Sequence, residues 1–287
     1  LGRDERNFQA HSFMGGAFCF PFWAALWVKC VCSCEKNIMS VIMDAERKRL
    51  KSLSVVFPAY NDGGTIASMV AAASIACRQV TDDFEIIVVN DGSSDYTATM
   101  LNEISVRYPE LRVITHPSNL GYGAALRTGF SAASKDWVFY TDGDSQYNPL
   151  ELVNLVGALR EGVDVVNGYK LTRNDSWMRI VIGRAYHYFV KFLFGIRIRD
   201  VDCDFRLIPR HILEEIELKS VSGAICLELV KKIEDAGYVF AEVPVNHYSR
   251  KYGVSQFFVP WRIVRTLRQL AGLYWMLVIR KEHLRNR

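Results

Sequence analysis

From Lys51 to Asn167 short apolar runs alternate with longer segments of helical period, and no other feature of the chain limits its fold as much. The runs are Leu53 to Phe57, Phe84 to Val89, Arg112 to Thr115, Trp137 to Thr141 and Val163 to Asn167. Between them lie the Ala-rich stretch Thr65 to Cys77, then Asp95 to Tyr108 behind a Ser93-Ser94-Asp95 cap, Gly121 to Ala133, and Leu150 to Glu161. Strands of continuous apolar character separated by helices belong to a parallel sheet covered on both sides. The expected fold is α/β, a mostly parallel sheet with helices on both faces, with Val239 to Val245 as a further strand. In such sheets ligands bind beyond the carboxyl ends of the strands.

That rule gives the polar residues between the elements a meaning. The first strand runs into Pro58-Ala59-Tyr60-Asn61-Asp62, the second into Asn90-Asp91-Gly92-Ser93-Ser94-Asp95, and the fourth into Asp142-Gly143-Asp144. One Asp-Gly is ordinary turn chemistry. Three acid-bearing ends on one edge of one sheet are a site. Asp142 and Asp144, a residue apart, suit a hard divalent cation, which takes one or two carboxylates together with phosphate oxygens. Asn119-Leu120-Gly121-Tyr122-Gly123 is a partial dinucleotide fingerprint, but Leu126 stands where the third glycine belongs and the motif follows the third strand, so it reads poorly as a nicotinamide site. Glycines that open a helix admit either a phosphate or another stretch of backbone; both readings stay open here.

With 287 residues, 50% of them hydrophobic, the chain can bury the core of one large or two small domains. Its formal charge of +4 is unevenly placed: from Asn246 onward nine Lys or Arg face one acid, Glu282. A basic, aromatic-rich tail on a slightly acidic body points to an anionic partner, and with no nucleic-acid motif present a membrane surface is favoured over nucleic acid. Ile263, Leu267, Leu270, Tyr274 and Leu277 recur at helical spacing, with Arg262, Arg265 and Arg268 mainly off that stripe. Residues 261–287 are therefore read as a basic amphipathic helix lying in a membrane interface, with a core or dimer helix as the alternative. The apolar part, Leu270 to Ile279, is too short to span a bilayer. Met178 to Phe194 is a long helical pattern, either packed on the sheet or turned to the membrane to lead a lipid to the site; Ile212 to Gly237 reads as further helices. Residues 1–45 differ in character from the rest. They carry four of seven cysteines (Cys19, Cys30, Cys32, Cys34) at no standard zinc spacing, and are read as sequence ahead of a functional start near Met39 or Met43. The odd cysteine count without a framework argues for a reducing compartment.

Residues 51–260 resemble family-2 inverting glycosyltransferases of the polyprenyl-phosphate sugar synthase group, the dolichyl-phosphate mannose synthase-like enzymes. The resemblance rests on Val56 to Asp62, Val88 to Thr97, Asn119 to Ala125, Asp142 to Gln146, and Arg199-Asp200-Val201-Asp202-Cys203-Asp204-Phe205-Arg206-Leu207. Asp62 stands where Glu is commoner, and Asp204 where a small residue is common. The resemblance implies a Rossmann-like, glycosyltransferase A-type catalytic domain over 46–260. It also implies that Pro58, Ala59, Tyr60, Asp62, Asp91, Gly121, Gly123 and Asp142 line the nucleotide pocket, with Asp91 on the base or ribose. Asp142, Asp144 and Gln146 would hold Mg2+ or Mn2+ with the donor diphosphate, and Arg206 and Arg250 would meet an acceptor phosphate. An ionised lipid phosphate needs arginines rather than a base; a sugar hydroxyl needs a carboxylate, for which Asp200 or Asp202 is available. The implied protein is peripheral, on the cytoplasmic face of a membrane, in cell-envelope glycan assembly. The alternatives are a hydroxyl acceptor in glycolipid or polysaccharide assembly and an inactive nucleotide-binding scaffold. The oligomeric state stays open, a homo-oligomer included.

Overall fold

The computed structural model describes residues 48–171, 188–249 and 260–285. The N-terminal segment 1–45 and the basic loop with Arg250 lie outside the described residues, as does most of the Met178 to Phe194 pattern.

Among the described residues seven strands form one sheet: β1 Leu53–Ala59, β2 Phe84–Asn90, β3 Leu111–Thr115, β4 Trp137–Thr141, β5 Val165–Lys170, β6 Phe205–Pro209 and β7 Phe240–Val245. Their order is β3-β2-β1-β4-β6-β5-β7. β1 pairs in parallel with β2 and β4, β2 with β3, and β5 with β7, while β6 runs antiparallel between β4 and β5. The sheet is thus mostly parallel, as the apolar runs require. The antiparallel β6 is the one strand not read as such from the sequence. Arg206 is its second residue, and a charge inside so short a strand hides the apolar pattern.

Helices cover both faces. On one, α1 (Ile66–Val80), α2 (Thr97–Ser105) and α4 (Leu152–Ala158, entered through a 3-10 turn at Pro149–Glu151) pack on Leu53, Val55, Phe57, Ile86, Val88 and Phe139. On the other, α3 (Tyr122–Ala132), α5 (Arg210–Glu215) and α6 (Ile225–Asp235) pack on Val56, Ile87, Val89, Val138 and Tyr140. Successive residues of β1, β2 and β4 thus alternate between two cores, so each strand must be apolar throughout.

A third, smaller core joins helical residues 188–194 to α6 and to the tail. The tail consists of α7 (Pro260–Tyr274), a five-residue π-helical turn (Trp275–Ile279) and the short α8 (Glu282–Arg285). Leu270 and Leu277, assigned from sequence to a lipid-facing stripe, are buried in this core with Leu273. That face of the tail is therefore a packing face, as the core-helix alternative has it.

α3 lies close to the sheet because Gly129 faces Val56: a Cβ there would fall 2.3 Å from Val56 Cγ1. Gly129→Ala is expected to destabilise the protein by about 1–3 kcal/mol through overpacking, seen as a lower midpoint in urea or thermal unfolding. An unchanged midpoint would mean that α3 and β1 have room to separate.

Candidate functional site

The strand order changes direction beside β1: β2 and β3 lie on one side, β4 and the rest on the other. The crevice beyond the carboxyl ends of β1 and β4 is where an open α/β sheet binds ligands. The residues there are Asp62 and the Asp142-Gly143-Asp144 turn. The approach is close: a Cβ on Gly143 would lie 3.2 Å from the Pro58 carbonyl oxygen and 3.5 Å from Asp62 Oδ2. Thr65 Oγ1 donates to the Gly143 carbonyl at 2.8 Å and fastens the two ends together.

Pro58 and Ala59 are buried in the last residues of β1, whereas Tyr60 is exposed at the rim. Asp62 Oδ2 accepts the Tyr60 N–H at 3.0 Å. The loop after β1 is tied to the loop after β2, since Asn61 Oδ1 accepts the Ser94 N–H and Asp95 Oδ2 accepts the Gly63 N–H.

Asp91 is buried at the end of β2. Its Oδ1 meets His116 Nδ1 at 2.7 Å and the Leu120 N–H at 2.9 Å, and Oδ2 accepts the Gly121 N–H at 2.9 Å. His116 Nε2 in turn meets Thr128 Oγ1 at 3.0 Å. The visible work of Asp91 is to hold the glycine loop against the second strand.

The two glycines of that loop face protein. Gly121 has φ +103°, and a Cβ on it would lie 2.4 Å from the Val221 carbonyl oxygen; one on Gly123 would lie 2.5 Å from that of Ser220. The Gly123 N–H donates to Val221 at 3.0 Å. Of the two readings left open, the backbone approach is the one observed. The segment that approaches is held by Glu228, whose carboxylate accepts the Lys219 and Ser220 N–H groups at 3.0 and 2.8 Å and pairs with Lys232 Nζ at 2.6 Å. Between the glycines stands Tyr122, whose hydroxyl donates to Asp142 Oδ1 at 2.8 Å.

Acids crowd this point. Burial, then the charges of Asp204 and Asp144, push Asp142 well above the usual carboxylate range. Burial also raises Asp204, although Arg206 3.6 Å away opposes it, and Cys226 Sγ donates to Asp204 at 2.9 Å. Asp144 Oδ1 accepts the Gln146 N–H at 3.0 Å, and Gln146 is anchored by its backbone carbonyl and side-chain amide to Tyr248. Among the described residues no group of three or more His, Cys, Asp or Glu forms a metal cage. Asp142, Asp144 and the side-chain amide oxygen of Gln146 lie close together in sequence after β4, and hard oxygens of this kind suit a magnesium-like cation with positions left for phosphate.

The acceptor side departs from expectation. Arg206 is fully buried in β6. Its guanidinium donates to Asn167 Oδ1 at 2.5 Å, to the Tyr140 hydroxyl and to the Val201 carbonyl. A side chain so enclosed does not meet a phosphate arriving from solvent, so its assignment as a phosphate ligand is corrected to a structural one. Asp200 is buried, with Oδ2 accepting the Lys170 N–H at 3.3 Å, and Asp202 is exposed, with its carbonyl accepting from Lys170 Nζ at 2.7 Å. Burial would lower Lys170, but Asp200, Cys203, Asp202 and Asp204 raise it beyond the usual lysine range, so it stays charged. Sequence reasoning missed Tyr122, Lys170, Cys226 and Glu228; Tyr122 lay inside a quoted motif, Lys170 and Cys226 depend on partners more than twenty residues away, and Glu228 on the fold of the loop just before its own helix.

Three comparisons with known proteins agree with this geometry. The profile of glycosyl transferase family 2 matches residues 54–217. Undecaprenyl-phosphate 4-deoxy-4-formamido-L-arabinose transferase from Serratia proteamaculans is 34% identical over 214 residues, 72% of this chain and 63% of its own length. The protein of that name from Yersinia enterocolitica is 32% identical over 74% of this chain and 64% of its own. The chain thus spans less than two thirds of these relatives. Among solved structures, glucosyl-3-phosphoglycerate synthase from Mycobacterium tuberculosis, in complex with Mn2+, uridine diphosphate and glucosyl-3-phosphoglycerate, superposes with a TM-score of 0.59. It is 21% identical, with 78% of this chain and 79% of that chain covered, a likeness of fold.

The Glu228 buttress makes a testable claim on stability. Burial alone would raise Glu228, but Lys232 and Ser220 outweigh it and hold it below the ordinary value. A depressed carboxylate stabilises the fold above its unfolded pKa, about 4.3, and loses that contribution as pH falls through the folded value. Glu228→Gln is expected to cost about 3–5 kcal/mol at neutral pH, with the gap from wild type narrowing in acid. Urea unfolding across pH reads both; a gap independent of pH would refute the ionised pair.

Proposed function

The chain belongs to glycosyl transferase family 2, and from that premise we propose that it transfers a sugar from a UDP- or GDP-linked donor to a polyprenyl phosphate, inverting the anomeric centre. The observation that carries this reading is the acid-bearing turn Asp142-Gly143-Asp144 fastened to the end of β1 at the switch point of the sheet. The names of the curated relatives support a polyprenyl-phosphate acceptor, and the uridine diphosphate and Mn2+ of the structural neighbour support the donor class and the cofactor.

Asp142 and Asp144, with Gln146, would hold Mg2+ or Mn2+, which as a Lewis acid offsets the charge growing on the leaving diphosphate. Tyr122 fixes the orientation of Asp142. Asp62 and the exposed Tyr60 stand where a nucleotide would enter, and Asp91 keeps the loop beside them in place. A phosphate monoester loses its second proton near pH ~6, so such an acceptor arrives ionised and needs cations to position it. Lys170 and the exposed Arg199, whose guanidinium stacks on Tyr169 at 4.9 Å, flank the Asp200–Asp204 segment and suit that task.

One observation favours a second reading. Asp204 is a partly buried carboxylate with a raised pKa beside Asp142, the kind of group that takes a proton from a sugar hydroxyl. Either acceptor is compatible with a peripheral protein on the cytoplasmic face of a membrane, active in cell-envelope glycan assembly. Among the described residues no helix is long and apolar enough to cross a membrane.

The deciding experiment supplies labelled UDP- and GDP-sugars, polyprenyl phosphate and Mg2+ or Mn2+, and counts organic-soluble label. The expected result is label with one donor, lost in Asp144→Ala while the thermal midpoint is kept. Label only on a sugar acceptor would establish the second reading; nucleotide binding without transfer to any acceptor would make the chain an inactive scaffold.

A further inference from the structure

Helical residues 188–194 leave three aromatic side chains on one side in solvent: Tyr188 is 67% exposed, Phe189 58% and Phe192 88%. Residues three and four apart share a helix face, so these rings form one patch. The opposite face is seated. Val190 and Phe194 are buried in the third core, and Phe194 meets Tyr274 edge-on at 5.8 Å between centroids. The same core carries the tail, whose outer side exposes Leu267, Trp275 and Ile279 while Leu270, Leu273 and Leu277 face inward. Two helices of one small core therefore expose six large apolar side chains between them.

Cations accompany both. Lys191 sits within the first patch, and the exposed Arg197 and Arg199 follow it, alternating with the buried Ile196 and Ile198. The exposed Arg268, Arg280 and Lys281 accompany the second, with Arg280 over the Trp275 ring at 5.8 Å. Near the first patch the acids turn inward: Glu234 accepts the Arg197 and Ile198 N–H groups, and Glu242 that of Arg199. Beside the end of the tail three acids do not: Glu282 pairs with Arg280 at 3.3 Å, and Glu215 and Glu217 are exposed in the cleft they share with Met276 and His283.

We propose that this face, the aromatic side of residues 188–194 with the outer side of the tail, is a docking surface for an anionic lipid bilayer. Aromatic rings with basic residues around them suit the headgroup region of such a membrane. A second copy of the chain fits less well, because a two-fold contact would bring one cationic face against the same cationic face. The assignment corrects the sequence reading in place. Of the tail's periodic stripe Leu270 and Leu277 are spent on the core, whereas Leu267 stays outside with Trp275 and Ile279, and the aromatic lipid-facing residues lie on a different helix. Phe194 is six residues from Asp200, at most about 20 Å of chain, so the docked face sits beside the acceptor side of the site. The inference extends the proposed transfer to a lipid phosphate, but its test uses neither donor nor acceptor, so either claim can fail alone.

The test is flotation of the full chain with vesicles of phosphatidylcholine and phosphatidylglycerol in equal parts, against phosphatidylcholine alone, at low and high salt. The wild type is expected to float with the anionic vesicles and to dissociate in high salt. Phe189→Ser with Phe192→Ser should weaken binding roughly tenfold or more without moving the thermal midpoint, since both side chains are exposed. Arg268→Glu with Arg280→Glu should remove the preference for anionic vesicles. Asp144→Ala should bind as wild type whatever its activity. A wild type that floats with neither vesicle, or a double serine variant that binds like wild type, would overturn the proposal. So would a wild-type dimer in gel filtration that the double serine variant splits, since that would give the face to a second copy.

Discussion

Arg206 carries a full positive charge at the middle of the sheet with none of its surface in water. An isolated ion in such a place is far too costly to keep. It is tolerated because the side chain finds Tyr140 on β4, Asn167 on β5, the Val201 carbonyl and Asp204. Those partners come from the two strands between which β6 is inserted and from the segment that leads into it. One side chain thus ties the antiparallel strand into an otherwise parallel sheet. It also brings the Asp200–Asp204 segment round to the site, where burial and then the charge of Asp204 raise Asp142. The segment takes this course because a buried cation has to be satisfied.

The rest of the site is held largely by main chain. Asp62, Asp91, Asp95 and Asp144 each accept at least one backbone N–H. Dipoles of this kind hold a carboxylate in place without cancelling its charge. The crevice is therefore lined by oriented acidic oxygens, a chemistry that suits a hard divalent cation. Behind the crevice the order is mechanical. Glu228 fixes residues 219 and 220, the following carbonyl receives Gly123, and the helix so seated presents Tyr122 to Asp142. The two glycines serve this backbone contact.

The strands, the helices between them and the converging strand-end acids were legible in the sequence because they depend on local pattern: apolar continuity, cap residues, and turns that carry Asp. β6 escaped because its pattern is interrupted by Arg206, whose burial only its partners explain. Arg206 itself was misassigned for the same reason. A motif arginine looks like a phosphate ligand until the strands on either side are seen to enclose it. The tail was read as an amphipathic helix lying in a membrane interface, with a core helix as the alternative, and Leu270 and Leu277 of its stripe pack inside while Leu267 does not, because periodicity reports that one side is apolar and says nothing of what covers it.

The sequence by itself determined an α/β sheet with a cluster of acids at one edge and a cationic tail, since hydrophobic period, turn chemistry and charge are properties of neighbouring residues. Only the tertiary structure decided which of those charges face the crevice and which are consumed inside the protein. It set Tyr122 and Lys170 beside the acids and sank Arg206, because those pairings are settled between residues tens of positions apart. It also turned one side of the tail inward to the third core and left the aromatics of 188–194 outside.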